Sequence, residues 1–186
     1  KKRLDQILQN EEIKSIIGSL GTGIADSFDI ENLKYNKVII LADADQDGEH
    51  IKSILLTFFF RYMKELITEG HVYVGMPPLF KMQKKDEIHY AYTDADYAEK
   101  QKKFGSGFAI QRYKGLGEMS AEQLWETTMN PKTRFLVKVT IEDAVEADKM
   151  VTTLMGDNIE ARKEYIQENA NFNREDKYAK LVGDKK

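Results

Sequence analysis

The stretch that most constrains this chain is residues 37–50: Lys37-Val38-Ile39-Ile40-Leu41-Ala42-Asp43-Ala44-Asp45-Gln46-Asp47-Gly48-Glu49-His50. A short β-branched run ends in three acids at alternate positions, followed by a glycine. Such a run, bounded by Asp and Gly, predicts a buried strand of a parallel sheet. Beyond it, Ile51, Ile54, Leu55, Phe58, Phe59, Tyr62 and Leu66 recur at helical spacing. The acids therefore sit where a strand hands over to a helix, the edge at which open α/β sheets bind ligands. On extended backbone, Asp43, Asp45 and Asp47 project to one side. Carboxylates packed together repel unless a cation neutralises them. An all-oxygen ligand set suits a hard ion, and Mg2+ is the natural candidate.

Other readings of the acids stand beside that one. Asp43, Asp45, Asp47 and Gly48 fit the opening of an EF-hand calcium loop, but the twelfth position is Ile54 where a bidentate Glu is needed. An Mg2+-dependent aspartyl phosphotransferase would use Asp43 as nucleophile, and the sequence alone leaves that open. The plainest reading is an acidic helix start, since Asp and Glu favour the first turn. Three acids at this spacing favour the metal.

Composition narrows the rest. The 186 residues are 41% hydrophobic, enough for one medium domain or two small ones with a real core. No apolar run reaches membrane-spanning length, and the first residues carry no signal-peptide pattern. Cys is absent, which removes disulfide and thiolate chemistry and fits a cytoplasmic location. Lys and Arg number 28 against 31 Asp and Glu, a net charge of −3. That balance is poor for binding nucleic acid unaided, so any DNA contact needs local cations or a partner.

Residues 1–20 predict an amphipathic helix or a pair of helices through Leu4, Ile7, Leu8, Ile16, Ile17 and Leu20, broken by Gly21-Thr22-Gly23. After the acids, one long helix is expected to about Glu69, with Gly70 as its cap. His71 to Val74 alternates as a strand and runs into Met76-Pro77-Pro78, where the prolines end pairing. Residues 79–82 and 88–92 predict a hairpin around Lys84-Lys85-Asp86-Glu87. Asp94 is expected to cap a short helix through Lys103, before the break Phe104-Gly105-Ser106-Gly107.

The second informative stretch is Gln111-Arg112-Tyr113-Lys114-Gly115-Leu116-Gly117-Glu118-Met119. A strand from about Phe108 delivers Arg112 and Lys114 into a loop hinged on two glycines. Two cations around Tyr113 could meet phosphate, and glycine lets backbone approach closely. A surface turn with solvated cations is the plain alternative. Ser120-Ala121-Glu122-Gln123 forms a capping box for a helix with Leu124 and Trp125, and Trp125 is expected as a core anchor. Phe135, Val137 and Val139 alternate as a half-buried strand. Thr140 and Asp143 resemble a second capping box for a helix that stops at Gly156. Residues 159–168 form another helix, and the chain is expected to fray from about residue 171. His50 lies beside the acids, with helix-start solvation its expected fate.

In order along the chain, Asp43-Ala44-Asp45-Gln46-Asp47-Gly48-Glu49-His50, Met76-Pro77-Pro78-Leu79, the run from Gln111 to Met119, Leu124-Trp125-Glu126-Thr127-Thr128-Met129-Asn130-Pro131 and Leu154-Met155-Gly156-Asp157 resemble one family. It is that of the bacterial type IIA topoisomerase B subunits, those of DNA gyrase and of topoisomerase IV. The resemblance runs from Lys1 to about Asn171, and the wording of residues 21–24 and 144–149 tilts it toward gyrase. It implies an α/β fold: a Rossmann-like, parallel-sheet TOPRIM domain in residues 1–82 without its first strand, then a smaller α+β tail domain in residues 83–186.

The resemblance also implies Mg2+ for DNA cleavage and religation, with Asp43 and Asp45 as ligands and Asp47 as ligand or neighbour. Arg112, Lys114, Gly115 and Gly117 become contacts to DNA or to the A subunit, which supplies the attacking tyrosine. The implied assembly is an A2B2 heterotetramer on double-stranded DNA, away from membranes, with ATP bound in N-terminal domains outside these residues. The family's metal-binding Glu lies on the first TOPRIM strand and has no match in residues 1–186. The stretch alone is therefore expected to hold Mg2+ weakly and not to cleave DNA. A docking module for the A subunit, without metal chemistry, is the alternative function.

Overall fold

Val38–Ile40 form strand β1 because three β-branched residues in a row favour a pleated, buried surface. The computed structural model of the chain describes residues 4–43, 45–105 and 107–170. It divides into two compact units, with the boundary between Lys149 and Met150. The fold is mixed α/β. Among the described residues no helix is long and apolar enough to cross a membrane.

The first unit opens with two helices, α1 (Leu4–Ile7) and α2 (Glu11–Leu20). Asn10 separates them, its side chain accepting the Ile13 N–H at 2.9 Å as an N-cap. After β1 comes helix α3 (Gln46–Tyr62), then α4 (Lys64–Thr68), then strand β2 (Val72–Gly75). β2 runs parallel to β1, with Val38 opposite Val72 and Ile40 opposite Val74. This is a β-helix-β crossover, as the pattern of residues 37–74 predicts.

The helix expected to run unbroken to Glu69 is instead bent at Met63, which leaves helical geometry (φ −146°, ψ 46°). Neither Gly nor Pro marks the bend. Met63, Leu66 and Ile67 are all buried, and the bend re-aims the crossover so that His71 N–H reaches Leu66 O at 2.8 Å and the chain enters β2. Tertiary burial sets this break, and a local pattern cannot show it.

β3 (Phe80–Lys84) and β4 (Glu87–Ala91) form the expected hairpin, with Lys85 left-handed at the turn. Helix α5 (Asp94–Phe104) follows. Its cap is Thr93 rather than Asp94: the Thr93 hydroxyl accepts the Asp96 N–H at 3.0 Å. β5 (Ala109–Arg112) pairs with the other edge of β3, giving the order β4-β3-β5. Ser120 and Gln123 close the capping box of α6 (Ala121–Leu124), which runs on as a π-helical turn, Trp125–Met129. Trp125 is not a core anchor. It is 57% exposed, because the turn buries Thr127 and Thr128 instead.

β6 (Leu136–Lys138) pairs antiparallel with β2, so the first sheet reads β1-β2-β6. The expected alternation buries only Val139; Phe135 and Val137 stay exposed. Thr140 and Asp143 do make the reciprocal box that starts α7 (Ile141–Met155). In the second unit the chain turns at Gly156, whose carbonyl accepts from Arg162 Nη2 at 2.7 Å, and continues as α8 (Ile159–Asn169). The fraying expected from residue 171 lies outside the described residues, as do Ala44 and Ser106.

The core of the first unit gathers Leu20, Ile40, Phe58, Phe59, Met63, Leu66, Ile67, Val72, Val139 and Ala144. Leu66 is fully buried. Leu66→Ala should cost about 2–5 kcal/mol through lost burial and the cavity left behind. Trp125→Ala should stay within about 0.5 kcal/mol, as surface changes do. Urea unfolding of both variants checks the pair, and equal losses would contradict the burial of Leu66 and the exposure of Trp125.

Candidate metal centre

The acids sit at the carboxyl end of β1, where the chain leaves the sheet for α3. Asp45 is extended (φ −119°, ψ −177°) and caps α3, its Oδ1 accepting the Gly48 N–H at 2.7 Å. Asp47 already lies in the first helical turn and is exposed. The alternate-position argument therefore does not reach it, because the helix starts two residues earlier than that argument needs. Gly48 is buried against the backbone of Asp43, and a Cβ there would collide with the Asp43 carbonyl oxygen. His50 is exposed on α3.

Asp43 meets the second informative stretch. Its Oδ1 accepts the Leu116 N–H at 2.8 Å, across 73 residues of sequence. Gly115 lies against the same carboxylate. Tyr113, which enters the loop from β5, is buried, and its N–H donates to Leu79 O at 2.9 Å. Around it, Pro77, Pro78, Gly115, Leu116 and Met119 line a shallow apolar pocket. Burial pushes the Tyr113 phenol up from its ordinary pKa. In strand β4, at the far edge of the same sheet, burial first and the Glu126 carboxylate second push Tyr90 up to about 12.

The loop holds its own shape. Lys114 N–H donates to Glu118 Oε2 at 2.9 Å, and Glu118 N–H donates to Gly115 O at 3.2 Å. Arg112, Lys114 and Gly117 are exposed, and the Arg112 guanidinium lies 5.3 Å from the centre of the Phe80 ring. The structure thus brings Asp43 together with Gly115, leaves Asp47 apart in the helix, and turns Lys114 outward. Among the described residues no three His, Cys, Asp or Glu side chains are grouped to hold a metal ion.

Leu116 and Glu118 also serve the site, through a backbone N–H and through a carboxylate that holds the loop. A backbone N–H carries no residue signature, so nothing local could have marked Leu116. Glu118, four residues after Lys114, is marked locally by that spacing.

The donor chemistry suits a hard cation. A carboxylate offers about four lone-pair positions, and one backbone N–H uses only one of them at Asp43 and one at Asp45. Mg2+ commonly takes one or two carboxylates and keeps water on its other positions.

Comparison with known proteins adds the family. Residues 2–77 match the family model described as Toprim domain, and residues 105–167 that described as DNA gyrase B subunit, carboxyl terminus. The B subunit of DNA topoisomerase 4 from Streptococcus pneumoniae is 52% identical over 180 residues, covering 95% of this chain and 28% of that protein. Over almost its whole length the chain is similar to the B subunits of type II topoisomerases. The Staphylococcus aureus protein of the same name is 52% identical over 176 residues (92% of this chain, 26% of its own), and the Enterococcus faecalis one 52% over 180 (95% and 26%). The chain thus spans about a quarter of the length of these relatives. One model carries the gyrase name and the relatives the topoisomerase IV name, so the similarity runs to both paralogues and does not single out gyrase.

Gly48→Ala should destabilise the chain by about 1–3 kcal/mol, since the added methyl has no room beside the Asp43 backbone. Thermal unfolding checks this. A variant as stable as the parent would mean that α3 does not start packed against Asp43.

Proposed function

We propose that this chain is the Mg2+-binding DNA cleavage and religation part of the B subunit of an ATP-dependent type II topoisomerase. The single observation that carries the reading is the meeting of Asp43 with the loop 112–118. It sets an acid at a strand's carboxyl end beside a glycine-rich turn flanked by exposed cations. In this reading Asp43 and Asp45 hold the ion and Asp47 lies near it as ligand or neighbour. A bound Mg2+ would stabilise charge on the attacking and leaving oxygens of phosphodiester transfer. Arg112 and Lys114 supply positive charge to a DNA phosphate or to the A subunit, and Gly115 and Gly117 let that partner come close to the backbone.

The finer architecture follows from the same reading. The β1-to-β2 crossover is part of a Rossmann-like TOPRIM sheet, residues 1–82 are that domain, and residues 83–186 the tail. Strand β6, from the tail side of that division, adds to the sheet through β2. With two carboxylates, each already giving one oxygen to a backbone N–H, residues 1–186 alone hold Mg2+ weakly and do not cleave DNA. The whole protein works in the cytoplasm as an A2B2 assembly on double-stranded DNA, its partner the topoisomerase A subunit, and takes its ATP elsewhere in its length.

Docking to the A subunit is a second role favoured by a separate observation. Trp125, Met129 and Phe135 are exposed apolar residues in the same unit as the loop. Asp45→Asn separates the two roles. Asn still caps a helix, so the bond from Gly48 and the fold survive, while the ligand charge is lost. In the full-length protein paired with its A subunit, the variant should lose DNA cleavage and still bind that partner. Cleavage at the parent's rate would remove the metal reading and leave the docking one.

A further inference from the structure

Gly115 is explained by its neighbour rather than by its backbone. Its conformation is extended (φ −158°, ψ 169°) and open to every residue type. A Cβ built on it, however, would lie 2.8 Å from Asp43 Oδ2, 2.9 Å from Cγ and 3.1 Å from Oδ1. The carboxylate thus rests on the bare Cα of Gly115 while the next residue donates its N–H to Oδ1 at 2.8 Å. Gly117, two residues on, has nothing within 4 Å of the same construction. One glycine of the pair is therefore made for Asp43 and the other is not.

We propose that Gly115 and Leu116 are the positioning residues of Asp43, so that cation binding at Asp43 and Asp45 and the seating of loop 112–118 are one coupled equilibrium. This deepens the metal reading above and rests on it. The hydrogen bond and the close packing fix the rotamer of Asp43 before any ion arrives, leaving the rest of its lone pairs for a cation. The internal bonds among Lys114, Gly115 and Glu118 keep the loop in the shape that presents the Leu116 N–H. Arg112 and Lys114 flank the same turn, so a loop seated by the cation also presents its positive charge in a fixed place. Linkage makes the effect reciprocal: a loop that unseats weakens the ion by the factor by which the ion favours seating.

Mn2+ is the probe, titrated into the full chain and read by electron paramagnetic resonance of the free ion. Gly115→Ala should weaken Mn2+ binding roughly tenfold or more, as loss of a ligand's supporting contact does. Glu118→Ala, which loosens the loop from an exposed position without touching Asp43, should weaken it in the same direction and by less. Gly18→Ala, exposed in α2 with nothing within 4 Å of the added carbon, should leave it unchanged. In the parent, Mn2+ should slow hydrogen exchange at the Leu116 amide. Should Gly115→Ala fail to fold, Glu118→Ala and the exchange measurement decide.

Parent-like Mn2+ affinity in the Glu118 and any folded Gly115 variant, with binding still lost in Asp45→Asn, would overturn the coupling and leave the metal site standing. Parent protein that takes up no Mn2+, or binds it unchanged after Asp45→Asn, would overturn both.

Discussion

The hydrogen bond from the Leu116 N–H to Asp43 Oδ1 is the contact on which the arrangement of the site depends. It joins the end of β1 to a loop far along the chain, and two separate pieces of fold serve it. The first sheet and its core fix Asp43, because Ile40 is buried and Gly48 packs on the Asp43 backbone. The second sheet fixes the loop, because β5 pairs with β3 and the Tyr113 N–H bonds to Leu79. Met76-Pro77-Pro78 carries the chain from one sheet to the other, its Met76 N–H bonded to Phe135 O at 3.0 Å. A bond to an ionised acceptor is worth about 1.5–3 kcal/mol net. That modest energy serves as a latch only because both partners are already held by the sheets.

What the sequence made legible was what local chemistry writes. The strand-to-helix handover at Asp43, the hairpin of residues 79–92, the Ser120 and Thr140 capping boxes and the Gly156 stop are short-range signals, and each is in place. The misses share a different cause. Met63 bends its helix because burial on both sides of it sets the path, and Trp125 is exposed because a π-helical turn shifts the register that α-helical spacing assumes. Thr93 outcompetes Asp94 as a cap by a single residue, within the usual uncertainty of helix ends. Of the candidate site, the residue types were legible and the pairing was not. Asp43 and Gly115 stood out separately, yet their contact is a fact of topology, and the backbone N–H that seals it has no letter of its own.

The charge balance gives the exposed cations their meaning. A chain with net charge −3 cannot draw DNA to itself by its overall field. Under the proposed function positive charge has to be supplied locally, and Arg112 is the residue held for it: its guanidinium lies over Phe80, on the strand that pairs with its own. Asp43 and Asp45 work against an approaching phosphate unless their charge is answered. Under the proposed function a divalent ion answers it, and the local sign inverts from repulsive to attractive at the point where the loop's cations are presented.

That inversion imposes a condition on the fold. Acids meant to receive an ion must not wreck the structure when the ion is away, and repulsion between bare carboxylates would do so. Here Asp43 and Asp45 each have a partner drawn from the chain itself. Asp45 takes the Gly48 N–H as a helix cap, and Asp43 takes the Leu116 N–H. Backbone donors suit this purpose better than a lysine would, since they satisfy a lone pair without cancelling the charge that a cation needs. Gly115 completes the argument: any larger residue would push the carboxylate off its donor, and Asp43 would lose both its partner and its aim. Under the proposed function, the contacts that let Asp43 and Asp45 stand without a metal are thus also the ones that hold them ready for it.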